Sequence, residues 1–431
     1  MLARHGGRMD SLKGKKLLIV SSDGSDRALL KAARELGLYV ICCDKYDATR
    51  SPTKAMADEA WDIDYSQTEI VAEKCKEAGV EGVIAAYAEN RVDAACKISK
   101  AIGTPFYATE EQLDLTRNKL LFKELCEKFG IPTPHNYKLT IPLADDQMDN
   151  IHFPVIVKPS DSGGRKGITV CYDKEQLVAA VDLALAESRY KDVVVEQFLV
   201  GTEMSAVYTI ADGKVSLSCL NDKYISEDQD SKGFLCTFVF TPSKYLSQYC
   251  EKVDPKVREM LKAIGAENGV ATFQMMACDE GIYIFEMGYR INGNNDFTII
   301  EKENGLNYCH MLMSYSLTGS MGDDLRGDNP FFKKYHGTFV VLLHAGKITK
   351  LDYEELKNVP GIEDIYFTKQ IGDVVSDRAT NVHKSGMIKF SAGTVDEAKH
   401  LVHYIQEHLH IEDEHGNNML FEEFNTSRMD R

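Results

Sequence analysis

Between residues 16 and 102, short apolar runs alternate with amphipathic segments, and this alternation restricts the fold more than any other feature of the chain. Residues 16–22 (KLLIVSS) read as a buried strand ending in a turn, residues 26–36 as a helix stopped by Gly37, and residues 38–43 (LYVICC) as a second strand. A further unit follows: helix 69–78, Gly79, strand 82–87 and helix 91–102. Parallel strands need a long crossover, so the pattern predicts a parallel sheet covered by helices.

Further along, the pattern changes. Residues 116–134 read as a helix ended by Gly130, Pro132 and Pro134. Strands are expected at 153–159, 168–172 and 193–201, with a helix at 175–188. Residues 203–215 form a candidate hairpin with its turn at Asp212-Gly213. Residues 271–290 form another, with its turn near Asp279-Glu280-Gly281. From His336 on, strands are expected at 338–344, 347–350, 364–367 and 386–392, then a helix at 395–408. The polar tail 411–431 shows little periodicity and is expected to be loose. The fold class is therefore α/β followed by α+β, with residues 1–13 a flexible extension.

A formal charge of −16 argues against nucleic acid or an anionic membrane as the main partner. No stretch is apolar enough to span a bilayer, and residues 1–13 lack the apolar core of a signal peptide. The eleven cysteines include no CxxC pair, so reduced thiols in a cytoplasmic compartment are expected. His310, His336, His344 and His383 are separated and show no metal spacing.

Three segments carry chemistry. In the first, Lys158 ends an apolar strand and Ser160-Asp161-Ser162-Gly163-Gly164-Arg165-Lys166-Gly167 follows. Burying an ammonium needs a partner, and a Gly-rich turn lets backbone N–H groups converge on an anion. The same residues would also suit a plain hairpin with surface lysines, and no GxxxxGK[ST] spacing is present. In the second, strand 193–201 is followed by Glu203. A strand edge can meet a purine base and a carboxylate can meet ribose hydroxyls, although a buried strand with a surface Glu fits as well. In the third, Gln274 and Glu286 stand on facing strands, with Arg290 beyond them. Oxygen ligands on adjacent strands can share a Mg²⁺, and a guanidinium can bind a phosphoryl group bidentately. The plainer alternative is a cross-strand polar pair with a surface salt bridge.

In this order and spacing the three segments resemble the ATP-grasp superfamily, over residues 16 to 400. The carbamoyl-phosphate synthetase large-chain type and related carboxylate–amine ligases are the nearest likeness, through Phe273-Gln274 and Phe285-Glu286-Met287. The resemblance implies a pre-ATP-grasp α/β domain at 14–113 and an ATP-grasp domain at 114–330 with a lid at about 134–200. A C-terminal α+β region, 331–431, would complete the core. It implies ATP and Mg²⁺ (Mn²⁺ as a substitute), small-molecule carboxylate and amine substrates, no nucleic acid or membrane partner, and room for a homodimer. Lys119 and Lys158 would contact ATP phosphates under a flap of Ser162, Gly163, Gly164 and Gly167. Glu196, Phe198 and Leu199 would meet the adenine, the latter two through backbone, and Glu203 the ribose. Gln274 and Glu286 would bind Mg²⁺, Lys158 and Arg290 would act at the transferring phosphoryl group, and Asn292 and Asn294 would face the acceptor.

The implied activity is C–N bond formation through an acyl phosphate, with release of ADP. Carbamoyl-phosphate-type and biotin-carboxylase-like chemistries use the same scaffold, and a non-catalytic ATP-binding protein is a further alternative. An NAD-dependent oxidoreductase would use Asp44 at the end of the second strand, but Ser21-Ser22-Asp23-Gly24-Ser25 is not GxGxxG. The sequence departs from the family at one point. The usual pattern Glu-x-Asn-x-Arg becomes Glu286-Met287-Gly288-Tyr289-Arg290, which leaves a second metal short of one ligand.

Overall fold

The computed structural model describes residues 11–21, 26–47, 51, 53–161, 166–226, 235–293, 296–322, 325–376 and 383–430. The first sheet is parallel, in spatial order β3-β2-β1-β4: β1 (Lys16–Val20), β2 (Tyr39–Cys43), β3 (Glu59–Trp61) and β4 (Gly82–Ile84). Leu17, Leu18, Ile19 and Val20 are fully buried, as expected of a parallel strand covered on both faces. β3 is too short and polar to show an apolar run. Asp44 closes β2 as a strand-end acid and accepts the Tyr46 N–H at 2.9 Å.

The second sheet is antiparallel, in order β6-β5-β7: β5 (Val155–Pro159), β6 (Thr169–Cys171) and β7 (Val193–Gln197). Helix Lys174–Glu187 packs on it and shares a separate small core with Val155, Val157 and Val195.

The third sheet has eight strands in order β12-β11-β8-β9-β10-β13-β18-β16, all antiparallel neighbours. They are β8 (Thr202–Ala211), β9 (Lys214–Ile225), β10 (Cys236–Thr241), β11 (Gly269–Cys278), β12 (Gly281–Gly288), β13 (Tyr335–Leu342), β16 (Ile362–Phe367) and β18 (Lys384–Ala392). β14 (Gly346–Lys347) pairs with β17 (Val374–Val375), and β15 (Lys350–Asp352) with β19 (His410–Glu412). The β8–β9 turn has Asp212 and Gly213 at φ 49° and 74°, the left-handed pair of a tight hairpin. Pairing of β10 with β13 joins strands on both sides of residue 330 into one sheet. One apolar core runs from Leu12 to Met321, so the first sheet and the central sheet are packed as neighbours.

Several elements differ from expectation. The segment before residue 130 is two helices, Glu110–Arg117 and Lys119–Lys128. They break at Asn118, whose side chain caps the second by accepting the N–H groups of Leu120 (3.0 Å) and Leu121 (3.3 Å). Helix Tyr308–Thr318 packs on β4, far from it in sequence. Among the described residues no helix is long and apolar enough to cross a membrane.

The tail is not loose. Phe424 lies 4.7 Å from the Phe238 ring and 5.2 Å from that of Tyr224. Arg428 covers Tyr224 at 5.4 Å and donates to the Ile225 carbonyl at 3.1 Å. Its apolar residues are too sparse to show a period, yet Met419, Phe424 and Met429 are each buried in the second core. Phe424→Ala should therefore destabilise the protein by about 3–5 kcal/mol, read by denaturant or thermal unfolding. A loose tail would give no change.

Candidate active site

The β11–β12 hairpin sets the centre of the site. Its register places Gln274 across from Glu286 and Thr272 across from Gly288. Alternate residues of a strand share a face, so these four positions form one square. The square opens into a cleft of about 720 Å³. Lys119, Gln274, Glu286, Arg290 and Asn292 all stand on its wall, brought together from a helix start, two strands and the following loop. Among the described residues seven lysines and arginines and four carboxylates line it, so an acidic chain holds a locally basic cleft suited to an anion.

Lys158 stands off that wall. Glu196 on β7, 1% exposed, is ion-paired with both Lys158 and Lys123. Burial pushes the Glu196 carboxyl up, but the two ammonium groups outweigh it and hold the group below its ordinary 4.5. Both of these partners are lysines, so Glu196, expected at the adenine, here clamps two ammonium groups. Lys123 also donates to the Pro134 carbonyl at 3.3 Å. Sequence reading missed Lys123, although it lies one helical turn after Lys119 on the same face. The register of β11 and β12 shifts after Gln274, and such irregularities re-aim side chains. Phe285, beside the shift, has the Lys158 ammonium 5.0 Å above its ring.

The remaining expected contacts divide. The Phe198 N–H donates to the Pro154 carbonyl at 3.1 Å, so the backbone donor assigned to a base is already engaged, and Leu199 is half-buried beside it. Glu203 faces Lys223 across β8 and β9, and the two form a buried ion pair. Lys223 is on the cleft wall. Gly167 has φ 69°, and a Cβ there would lie 2.9 Å from Pro159 Cγ, so only glycine closes this turn. Ser162, Gly163, Gly164 and Asn294 lie outside the described residues.

The first sheet supplies the floor. Arg290 Nε donates to Glu89 Oε1 at 2.7 Å, and the guanidinium is ion-paired with that carboxylate at the start of helix Glu89–Ile102. Arg117 is held by Asp93 and Asp114. Asn292 Nδ2 donates to Asp296 Oδ2 at 2.7 Å. Burial pushes the Asp296 carboxyl up against the pull of Asn292, Lys389 and Lys223. Burial likewise lowers Lys384, which stands on the cleft wall, and Lys389. Glu89, Arg117, Lys223 and Lys384 were not found in the sequence. They reach the cleft through sheet order, which local periodicity does not carry.

Comparison with known proteins agrees with this architecture. Residues 118–313 match the carbamoyl-phosphate synthase L chain, ATP binding domain, and residues 338–414 match L-amino acid ligase C-terminal domain 2. Dapdiamide A synthase of Enterobacter agglomerans is 23% identical over 410 residues, covering 88% of this chain and 92% of that one. A formate-dependent phosphoribosylglycinamide formyltransferase of Prochlorococcus marinus is 30% identical over 189 residues, 43% of this chain, and the match spans 48% of that protein. The crystal structure of an L-amino acid ligase from Bacillus licheniformis superposes with a TM-score of 0.77 at 18% identity, over 93% of this chain and 99% of that one. Residues 118–313 are thus an ATP-grasp domain of the carbamoyl-phosphate synthase large-chain type, and the chain as a whole has the fold of the L-amino acid ligase on which it superposes.

Proposed function

We propose that this protein is an ATP-dependent carboxylate–amine ligase, and that its two substrates are amino acids or close analogues. The observation that carries the reading is the Gln274–Glu286 pair on the wall of a basic cleft. The choice of substrates is supported by the match of residues 338–414 to an L-amino acid ligase domain and by the near full-length likeness to dapdiamide A synthase.

In this reading residues 14–113, 114–330 and 331–431 keep their three domain roles, with residues 134–200 as the lid. Eleven free thiols fit a reducing cytoplasm. Two adjacent oxygens on one sheet face suit Mg²⁺, which takes a few carboxylate or amide oxygens and otherwise phosphate and water. Bound there, the ion supplies positive charge to the phosphates.

The chain's own groups then position and neutralise. Lys119 meets the phosphates from the helix start, with Lys158 beside it at the end of β5. Glu196 holds Lys158 in place, Leu199 and Glu203 face the nucleoside, and Arg290, oriented by Glu89, meets the γ-phosphoryl group. A substrate carboxylate oxygen attacks the γ-phosphorus, the bond to ADP breaks, and an acyl phosphate forms. The amine, held on the Asn292 side of the cleft, attacks the acyl carbon and phosphate leaves with the C–O bond electrons. Exclusion of water protects the acyl phosphate between the two steps.

Incubation with pairs of amino acids, followed by phosphate assay and mass spectrometry of products, should give ADP, phosphate and an amide. AMP and pyrophosphate as main products would refute the acyl-phosphate route. Lys158→Ala should lower turnover by roughly 10²-fold or more with the fold retained, since Lys123 still pairs Glu196. Glu196→Gln is expected to behave differently. It leaves two buried ammonium groups without a carboxylate and should destabilise the protein by about 3–5 kcal/mol, measured by unfolding in parallel with Lys158→Ala.

A further inference from the structure

Gly288 removes a side chain from the corner of the square where the family pattern has asparagine, and the structure shows what occupies that corner. Its φ is not left-handed, and a Cβ there would meet Arg290 Cζ at 3.6 Å, Cγ at 3.7 Å and Nε at 3.8 Å. These are ordinary contact distances, so the Arg290 side chain lies over Gly288. The corner holds a guanidinium in place of an oxygen.

Directly across the hairpin stands Thr272. It is 7% exposed, lines the cleft, and its Oγ1 is buried with no hydrogen-bond partner among the described residues. An unpaired buried hydroxyl costs stability. Valine would fill the same volume without that cost. The hydroxyl therefore gains nothing in the unliganded chain and becomes useful only when a ligand reaches this end of the cleft. Alternation along β11 puts Thr272 beside Gln274, on the face that carries Glu286.

We propose that Thr272 Oγ1 is the third protein oxygen of the metal site, serving with Gln274 and Glu286 in place of the side chain that Gly288 lacks. This rests on the ligase reading above. A hydroxyl offers acceptor lone pairs as well as a donor, so it can serve a cation while Arg290, oriented by Glu89, meets the phosphoryl group. The ligand set is thus carried over from β12 to β11, two pairs along from Gln274–Glu286 and on the same face. Thr272 acts as a positioning residue through the ion and has no bond to make or break.

The test is Mn²⁺ binding, read by electron paramagnetic resonance with a non-hydrolysable imido analogue of ATP, for the parent and three variants of the full chain. Parent protein should bind two ions per nucleotide. Thr272→Val should weaken one of them by about 10-fold or more, Thr272→Ser should bind like the parent, and Thr272→Val with Gly288→Asn should recover. Metal-free melting of Thr272→Val should be unchanged or higher, because an orphan hydroxyl has been removed. A Thr272→Val titration identical to the parent, a double variant that stays weak, or a lower metal-free Tm for Thr272→Val would each overturn the proposal. Absence of any nucleotide-dependent Mn²⁺ binding in the parent would overturn the ligase reading along with it, which separates the two failures.

Discussion

The chemistry of the cleft depends on the pairing register of β11 and β12. A slip of β11 by one residue would turn Gln274 to the face opposite Glu286 and send Phe273 and Met275 into the cleft. The core resists that slip. Phe273 and Met275 are fully buried, and Phe273 lies 5.5 Å from the Tyr208 ring and 6.3 Å from that of Phe122. Removing such side chains from water contributes roughly 1.5–3 kcal/mol each. The two-residue turn at Asp279-Glu280 fixes the other end. Position of the polar square is therefore set by apolar residues on the buried side of the strand.

This also explains what could be read from the sequence. Gln274 and Glu286 were visible because both clues are local: an alternating pattern and a turn close by. Lys119 came from the family resemblance, and the Asn118 cap that starts its helix shows only in the structure. Lys123 carries a local signal too, one turn from Lys119, but its value depends on Glu196, 73 positions along the chain, and no periodicity reports that pairing. Lys223, Lys384 and Glu89 come to the cleft from strands and a helix whose neighbours follow only from sheet order. The tail was misread for a related reason. Phe424 packs singly between Tyr224 and Phe238, and a single buried aromatic has no period.

Buried charge is handled the same way in two places. Glu196 sits between two lysines, and Glu203 sits against Lys223. Such pairs gain little net stability over an apolar pair of equal size, because desolvation offsets the attraction. What they do achieve is to hold ammonium groups in fixed positions where an apolar residue could hold none. In a cleft meant for a polyanion, fixed cations need no reorganisation when the ligand arrives.

The β6-β5-β7 sheet follows from the same arrangement. Its core of Val155, Val157, Leu177 and Val195 is separate from the core that runs from Leu12 to Met321. Apolar packing therefore holds the β5–β7 unit together without joining it to the larger core. Polar links tie it down at defined points: Glu196 to Lys123, and the Lys119 N–H to the Ser160 carbonyl at 2.9 Å. Both links end on helix Lys119–Lys128, the element that also brings Lys119 to the cleft. That helix is capped by Asn118 and anchored by Phe122 against Phe273 on β11. The β5–β7 sheet, Lys119 and the β11–β12 hairpin thus share one support, the helix Lys119–Lys128.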